Sequence, residues 1–221
     1  MTVLSIKHAH LMLSMQSQMN SKINADWVRE NYPYLRAVVI EGAEAIEHHG
    51  WKWWKMQNCD VSQLQMEIVD IWHFILSAIL IKTQNNQDAA MQLLMSVNGK
   101  SRNCEIIEFD GRSYELSSLS LLEKLELLIG VSVSRRIELS LFSALLSDCK
   151  MNWESLFRQY VGKNVLNFFR QDHGYRDGSY LKDWHGKEDN EHLVDVMNYI
   201  DPQDDSYPQK LYQLLEARYP G

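Results

Sequence analysis

Apolar residues recur along most of this chain at steps of three, four and seven, the period of a helix that buries one face. Leu4, Leu11, Met12, Met15, Met19 and Ile23 follow that period and predict a first helix. Asp26 is placed to cap a short turn before Pro33, and a second strong pattern runs from about Pro33 to His49, where Gly50 is a natural terminator. WKWWKMQNC reads as a connector. Asp60 and Gln63 have the spacing of a capping box and open a helix that reaches about Thr83. Polar QNNQD breaks it, a short helix to Val97 follows, and Asn98-Gly99 and Asp110-Gly111 flank a short hairpin. Further helices are predicted over Leu119–Ile129, Ser132–Lys150 and Trp153–Gln171. After the irregular DHGYRDGSYLKDWHGK, a last pair is expected to begin near Glu188 and near Pro208.

Only four prolines occur, at 33, 202, 208 and 220, so little interrupts helix formation. No repeat, low-complexity stretch or linker divides the chain. The expectation is one all-α domain over 1–221, a helical bundle.

Charge and composition narrow the function. Twenty-nine acidic against 22 basic residues give a net charge of −7, which argues against a nucleic-acid footprint and leaves room for a small anionic ligand. Cys59, Cys104 and Cys149 form no CxxC pair, so neither a disulfide framework nor a zinc site is expected, and a cytoplasmic location follows. The N-terminus carries Lys7, His8 and His10 within its apolar pattern and has no small-residue cleavage site. The apolar run Ile71–Ile81 is about half the length a bilayer needs, so no membrane contact is expected.

Within these helices stand carboxylates where a buried face would be apolar. Glu41 and Glu44 are three apart on the second long helix, and Glu67 and Asp70 are three apart in EIVDIWHFILSAIL. Residues three apart share a helix face, so two antiparallel helices can bring all four acids to one point. The spacing alone is cheap, since Glu44/Glu47, Glu105/Glu108 and Glu123/Glu126 also show it. Context is what counts: Asp70 is flanked by Ile68, Val69, Ile71 and Trp72. An isolated buried carboxylate costs several kcal/mol or shifts its pKa upward. A shared hard cation such as Mg²⁺ removes that cost.

The same face continues to Phe74 and Ser77, a ring and a small hydroxyl that suit a flat ligand, although Phe74 taken alone is ordinary core. Asp70-x-x-His73 has di-iron spacing, but no second such motif accompanies it, so His73 is expected to pack or hydrogen-bond. Gln16 and Asn20 put amides on the first helix, able to read a base edge or to serve as a polar fringe. Trp51, Trp53 and Trp54 are expected mostly to pack, with one free to line a pocket while Lys52 or Lys55 reaches an anion. Lys163–Asn190 gathers Lys163, Arg170, Arg176, Lys182 and Lys187 with Asn164, Asn167, Tyr175, Tyr180 and Asn190. It reads as a flexible segment able to close over phosphates, or as a solvated loop.

MQSQMNSKINADW, EGAEAIEHHGWKWWK, EIVDIWHFILS and KNVLNFFRQDHGYRDGSYLKDWHGKEDN together resemble the dimeric all-α dUTPase family, within the MazG-like pyrophosphohydrolases. About 84–155 is an additional helical region with no recognised motif. The resemblance implies a four-helix metal-binding core in an intertwined homodimer that hydrolyses dUTP to dUMP and pyrophosphate with Mg²⁺. It implies Glu41, Glu44, Glu67 and Asp70 as metal ligands, with Glu41 and Glu44 catalytic. Gln16, Asn20, Trp53, Phe74, Ser77 and Asn167 fall at its deoxyuridine positions, and Lys55, Arg170, Tyr175, Lys182, Lys187 and Asn190 at or close to its phosphate positions. A dCTPase or broad dNTP pyrophosphohydrolase would use the same scaffold. A non-catalytic helical interaction protein is the alternative from another class.

Overall fold

The computed structural model describes residues 3–100 and 106–221, and side chains are described outside 97–100. Ten α-helices are present among the described residues: α1 Ile6–Ile23, α2 Trp27–Glu30, α3 Tyr34–His49, α4 Val61–Lys82, α5 Gln87–Lys100, α6 Leu121–Val133, α7 Leu139–Asp148, α8 Trp153–Asp172, α9 Asp189–Met197 and α10 Tyr207–Glu216. Two short antiparallel hairpins join them, β1 Ile106–Phe109 with β2 Arg112–Glu115, and β3 Asp183–Trp184 with β4 Lys187–Glu188. The all-α expectation holds.

Local chemistry explains most boundaries. Ser5 caps α1 by accepting from the His8 amide, and Ser120 and Glu123 form a reciprocal capping box on α6. The Asp60 side chain accepts from the Gln63 amide and starts α4. Gly50 ends α3 with φ of 86°, a backbone conformation that favours glycine. The connector then folds back so that the Asp60 amide donates to the His48 carbonyl, 2.8 Å away, which sends α4 antiparallel to α3.

Two boundaries differ from expectation. The predicted Ser132–Lys150 helix is broken: α6 ends at Val133, Arg135 takes φ of 63°, and α7 begins only at Leu139. Ser134 donates to the Gly130 carbonyl and closes α6 without any proline or glycine to announce the stop. α5 runs on to Lys100, across the Asn98-Gly99 pair expected as a turn. The Asp110-Gly111 turn does join β1 to β2. Cys104 lies outside the described residues, while Cys59 and Cys149 are free thiols, with burial pushing Cys149 up to about 12.

α3 packs along α4 on one side and α6 on the other, while α1 lies against α4, α5 and α8. Gly42 allows the α3–α6 approach, because a Cβ there would meet Ile129 Cγ1 at 2.9 Å. In the centre, Trp72 stacks on Phe142 with ring centroids 4.7 Å apart and meets Trp153 edge-on at 5.3 Å. A second aromatic cluster, Phe169, His173, Tyr180, Trp184 and Tyr219, fastens the segment after α8 to α8 and the C-terminus. α4 is long and apolar enough to cross a membrane by composition, yet two-thirds of that stretch is buried within the fold.

Candidate active site

The antiparallel α3–α4 pair brings Glu41, Glu67 and Asp70 together, with one carboxylate oxygen of each within 4.8 Å of the others. Glu67 is only 7 % exposed, because its helix face turns toward α3 and its neighbours Ile68 and Ile71 are core. Burial raises the Glu67 carboxyl above its usual range. Glu41 is pushed up to about 8, first by burial, then by a hydrogen bond with Glu67 and the nearby charges of Asp70, Glu67 and Glu44. Like carboxylates this close cannot all ionise unless a cation joins them. An all-oxygen set that holds a proton in a cation's place fits a hard divalent metal ion. Glu44 stands on the exposed flank of α3, outside this group of three, and acts on it through its charge.

Two further groups touch the acids. The Lys163 ammonium, brought in on α8, lies 3.1 Å from Asp70 Oδ2, and His48 Nε2 lies 3.4 Å from Glu67 Oε1. Lys163 stood in the basic segment by sequence, but nothing in its spacing pointed to Asp70.

Beside the acids opens a cavity of about 460 Å³, a size that suits a small ligand. Its wall takes Gln16 and Asn20 from α1, Asp70, Phe74 and Ser77 from α4, Asn167 and Arg170 from α8, and Tyr175. Asp70 is therefore shared between the acidic group and the cavity. His73, Tyr32 and Tyr34 also line it, and none of these was singled out as a site residue by sequence. Burial pushes the Tyr34 hydroxyl up to about 12. The floor is polar and internally bonded: His73 Nδ1 lies 2.9 Å from Gln16 Oε1, Gln16 donates to Asn20, and Asn20 donates to Ser77. His73 is thus buried and hydrogen-bonded, as expected of it.

Other sequence candidates stand elsewhere. Trp53 and Trp54 are 86 % and 59 % exposed and touch mainly each other and Trp51, against the expectation that most of these rings pack. Lys55 is exposed on the same connector. Lys182 pairs with Glu188 at 3.2 Å and Lys187 with Asp195 at 3.5 Å, both at the surface. Asn190 lines a separate cavity of about 310 Å³ between α4, α8 and α9.

Nor is the basic segment a loose loop. Arg170 forks onto Asp189 through Nε at 2.8 Å and Nη2 at 2.9 Å, and Tyr180 donates to the same carboxylate at 2.9 Å. Asp189 is fully buried, and these partners hold its carboxyl below the usual range despite burial. Arg170 keeps an edge on the cavity, with the Tyr175 ring 5.7 Å from its guanidinium carbon.

Fold and site together define an all-α protein with an acidic group that meets, at Asp70, a cleft large enough for a nucleoside. A family model described as dUTPase matches residues 8–175, and the chain belongs to this all-α dUTPase family. Membership assigns it dUTP diphosphatase activity and makes it an enzyme, not an interaction module. No curated protein matches the chain.

Proposed function

We propose that this enzyme hydrolyses dUTP to dUMP and pyrophosphate in a Mg²⁺-dependent reaction, limiting uracil in DNA and supplying dUMP. One observation carries this reading: Asp70 belongs at once to the acidic group and to the wall of the amide-floored cavity. A triphosphate at the acids thereby leaves its nucleoside in reach of Gln16 and Asn20.

Glu41, Glu67 and Asp70, with Glu44 alongside, would hold the metal. When bound, the ion supplies Lewis acidity and an acidified water. Glu41 is the group to accept a proton from the attacking water, supported by its place among the converging acids. Lys163 offsets negative charge beside Asp70, and Arg170 and Tyr175 face the phosphate end. Phe74 offers its face to the base, Ser77 and Asn167 flank the sugar, and Gln16 and Asn20 read the base edge. Lys182, Lys187 and Lys55 act at the phosphates only if their segments move inward, whereas Asn190 already stands 3.5 Å from Arg170 Nη2.

A homodimer is part of the proposal. Its support is the exposed apolar group Trp53, Trp54 and Met56, a surface that assembly would cover and that would carry Trp53 into a shared site. A net charge of −7 counts against a nucleic acid or a membrane surface as partner and leaves room for a free nucleotide, and three cysteines without a CxxC pair support a cytoplasmic setting. Pyrophosphate release from dUTP, dCTP, dTTP and UTP with Mg²⁺ and with EDTA tests the assignment. Preference for dUTP and silence in EDTA are expected, whereas a dCTP preference would move the enzyme to the dCTPase reading.

A further inference from the structure

Between α1 and α4, at the floor of the cavity, four side chains close a ring of hydrogen bonds whose direction follows from one member. Ser77 has two acceptors in reach, the His73 carbonyl one turn back at 3.0 Å and Asn20 Oδ1 at 3.3 Å. The shorter bond, common for a serine inside a helix, takes its proton to the carbonyl. The Ser77 oxygen then receives Nδ2 of Asn20 at 3.1 Å. Asn20 accordingly turns Oδ1 toward Gln16, which donates Nε2 to it at 3.0 Å. The Gln16 amide oxygen faces His73 Nδ1 at 2.9 Å and can only accept there, while the Tyr160 hydroxyl shares its one proton between this oxygen at 3.0 Å and the Met12 carbonyl at 2.9 Å.

The proton of His73 therefore sits on Nδ1. The other ring nitrogen agrees: Nε2 is buried with no hydrogen-bond partner, a state that suits a bare lone pair, since orphaned buried N–H groups are the rarer case. Burial depresses the ring to about 3, so it stays neutral, and stacking on Tyr160 at 4.2 Å fixes its plane.

We propose that His73 is a positioning residue for base recognition: as the Nδ1–H tautomer it sets the orientation of the Gln16 and Asn20 amides, and with them the order of donors and acceptors offered to the base. The inference rests on the nucleotide reading above. In this orientation Gln16 Oε1 is turned inward to His73 and Tyr160, and the two amides keep two N–H groups and one Asn20 oxygen lone pair for a ligand. That matches the count of an imide edge, two carbonyls about one N–H. Reversing the ring of bonds inverts the count to two lone pairs and one N–H. A ring nitrogen that never touches the base thus decides what the base meets.

The test pairs spectroscopy with two substitutions. NMR shifts of the ring nitrogens in the wild-type protein should report an Nδ1–H imidazole for His73, the less common tautomer of free histidine. His73→Asn keeps an N–H donor near the Nδ1 position, whereas His73→Leu keeps bulk without it. The dUTP-over-dCTP ratio of kcat/KM should stay within about threefold of wild type in His73→Asn and fall at least about tenfold in His73→Leu. A packing role alone would slow both nucleotides equally and leave that ratio intact. An Nε2–H ring, or equal losses on both substrates, overturns the proposal. An Nδ1–H ring in a wild-type enzyme that turns over no dUTP would instead defeat the substrate reading and reduce His73 to a structural tautomer.

Discussion

The Lys163 ammonium stands 3.1 Å from Asp70, so a fixed cation already occupies one edge of the acidic group. Lys163 is mostly buried, and its loss leaves the three carboxylates with only the His48 ring beside Glu67 as a basic neighbour among the described residues. Lys163→Met is expected to lower the melting temperature by about 3–6 °C without divalent metal, as a partly buried pair worth ~1–2 kcal/mol implies. Added Mg²⁺ should restore most of that loss. Thermal scans with and without Mg²⁺ check this, and a loss untouched by Mg²⁺ would count against a metal at these acids.

Substitutions should separate the three converging acids from Glu44. Glu41→Ala and Asp70→Ala are expected to lower kcat at least about a thousandfold while the helical circular dichroism stays unchanged. Glu44→Ala, removing an exposed carboxylate outside the group, should cost about tenfold or less. Equal, complete losses at Glu41 and Glu44 would mean that Glu44 turns inward to join the other acids when the metal binds.

pH provides an independent measure. A carboxyl at about 8 in the folded chain, against an ordinary value of 4.5, is protonated when folded and ionised when unfolded between those values. The contribution of Glu41 is present below pH 4.5 and is lost as pH rises toward 8. His73, depressed to about 3 from 6.5, works oppositely but only below 6.5. Between pH 6.5 and 8.5, metal-free wild type should therefore lose stability relative to Glu41→Gln, and Mg²⁺ should flatten the difference. Melting temperatures of the two proteins across that window decide it.

Arg170 has a structural duty that its cavity position hides. Its removal leaves Asp189 buried and without its cation, which costs about 3–5 kcal/mol. Arg170→Ala is expected to lower the denaturation midpoint clearly, not only to weaken nucleotide binding. Arg170→Ala combined with Asp189→Asn should regain stability but not nucleotide affinity. Urea titrations beside substrate KM values separate the two duties.

Legibility was uneven across the molecule, and the reason is physical. α1, α3, α4 and α8 were visible because a helix with one buried face writes a 3.6-residue period into its sequence. The break between α6 and α7 was not, since Ser134 and Arg135 end the helix by a side-chain bond and a left-handed backbone that many sequences permit. Glu41, Glu67 and Asp70 were legible as acids, while the place of Glu44 outside that group of three depended on which way α3 rolls against α4 and α6.

By itself the sequence determined the helices, the acidic chemistry in EIVDIWHFILSAIL and the family, because periodicity, composition and motif order are local properties. Tertiary structure alone decided that Lys163 meets Asp70, that His73 locks Gln16, and that Arg170 is spent on Asp189. The first pair joins residues 93 positions apart along the chain. Contacts of that kind are set by how helices cross, and crossing angles depend on the packed shapes of all the side chains between them.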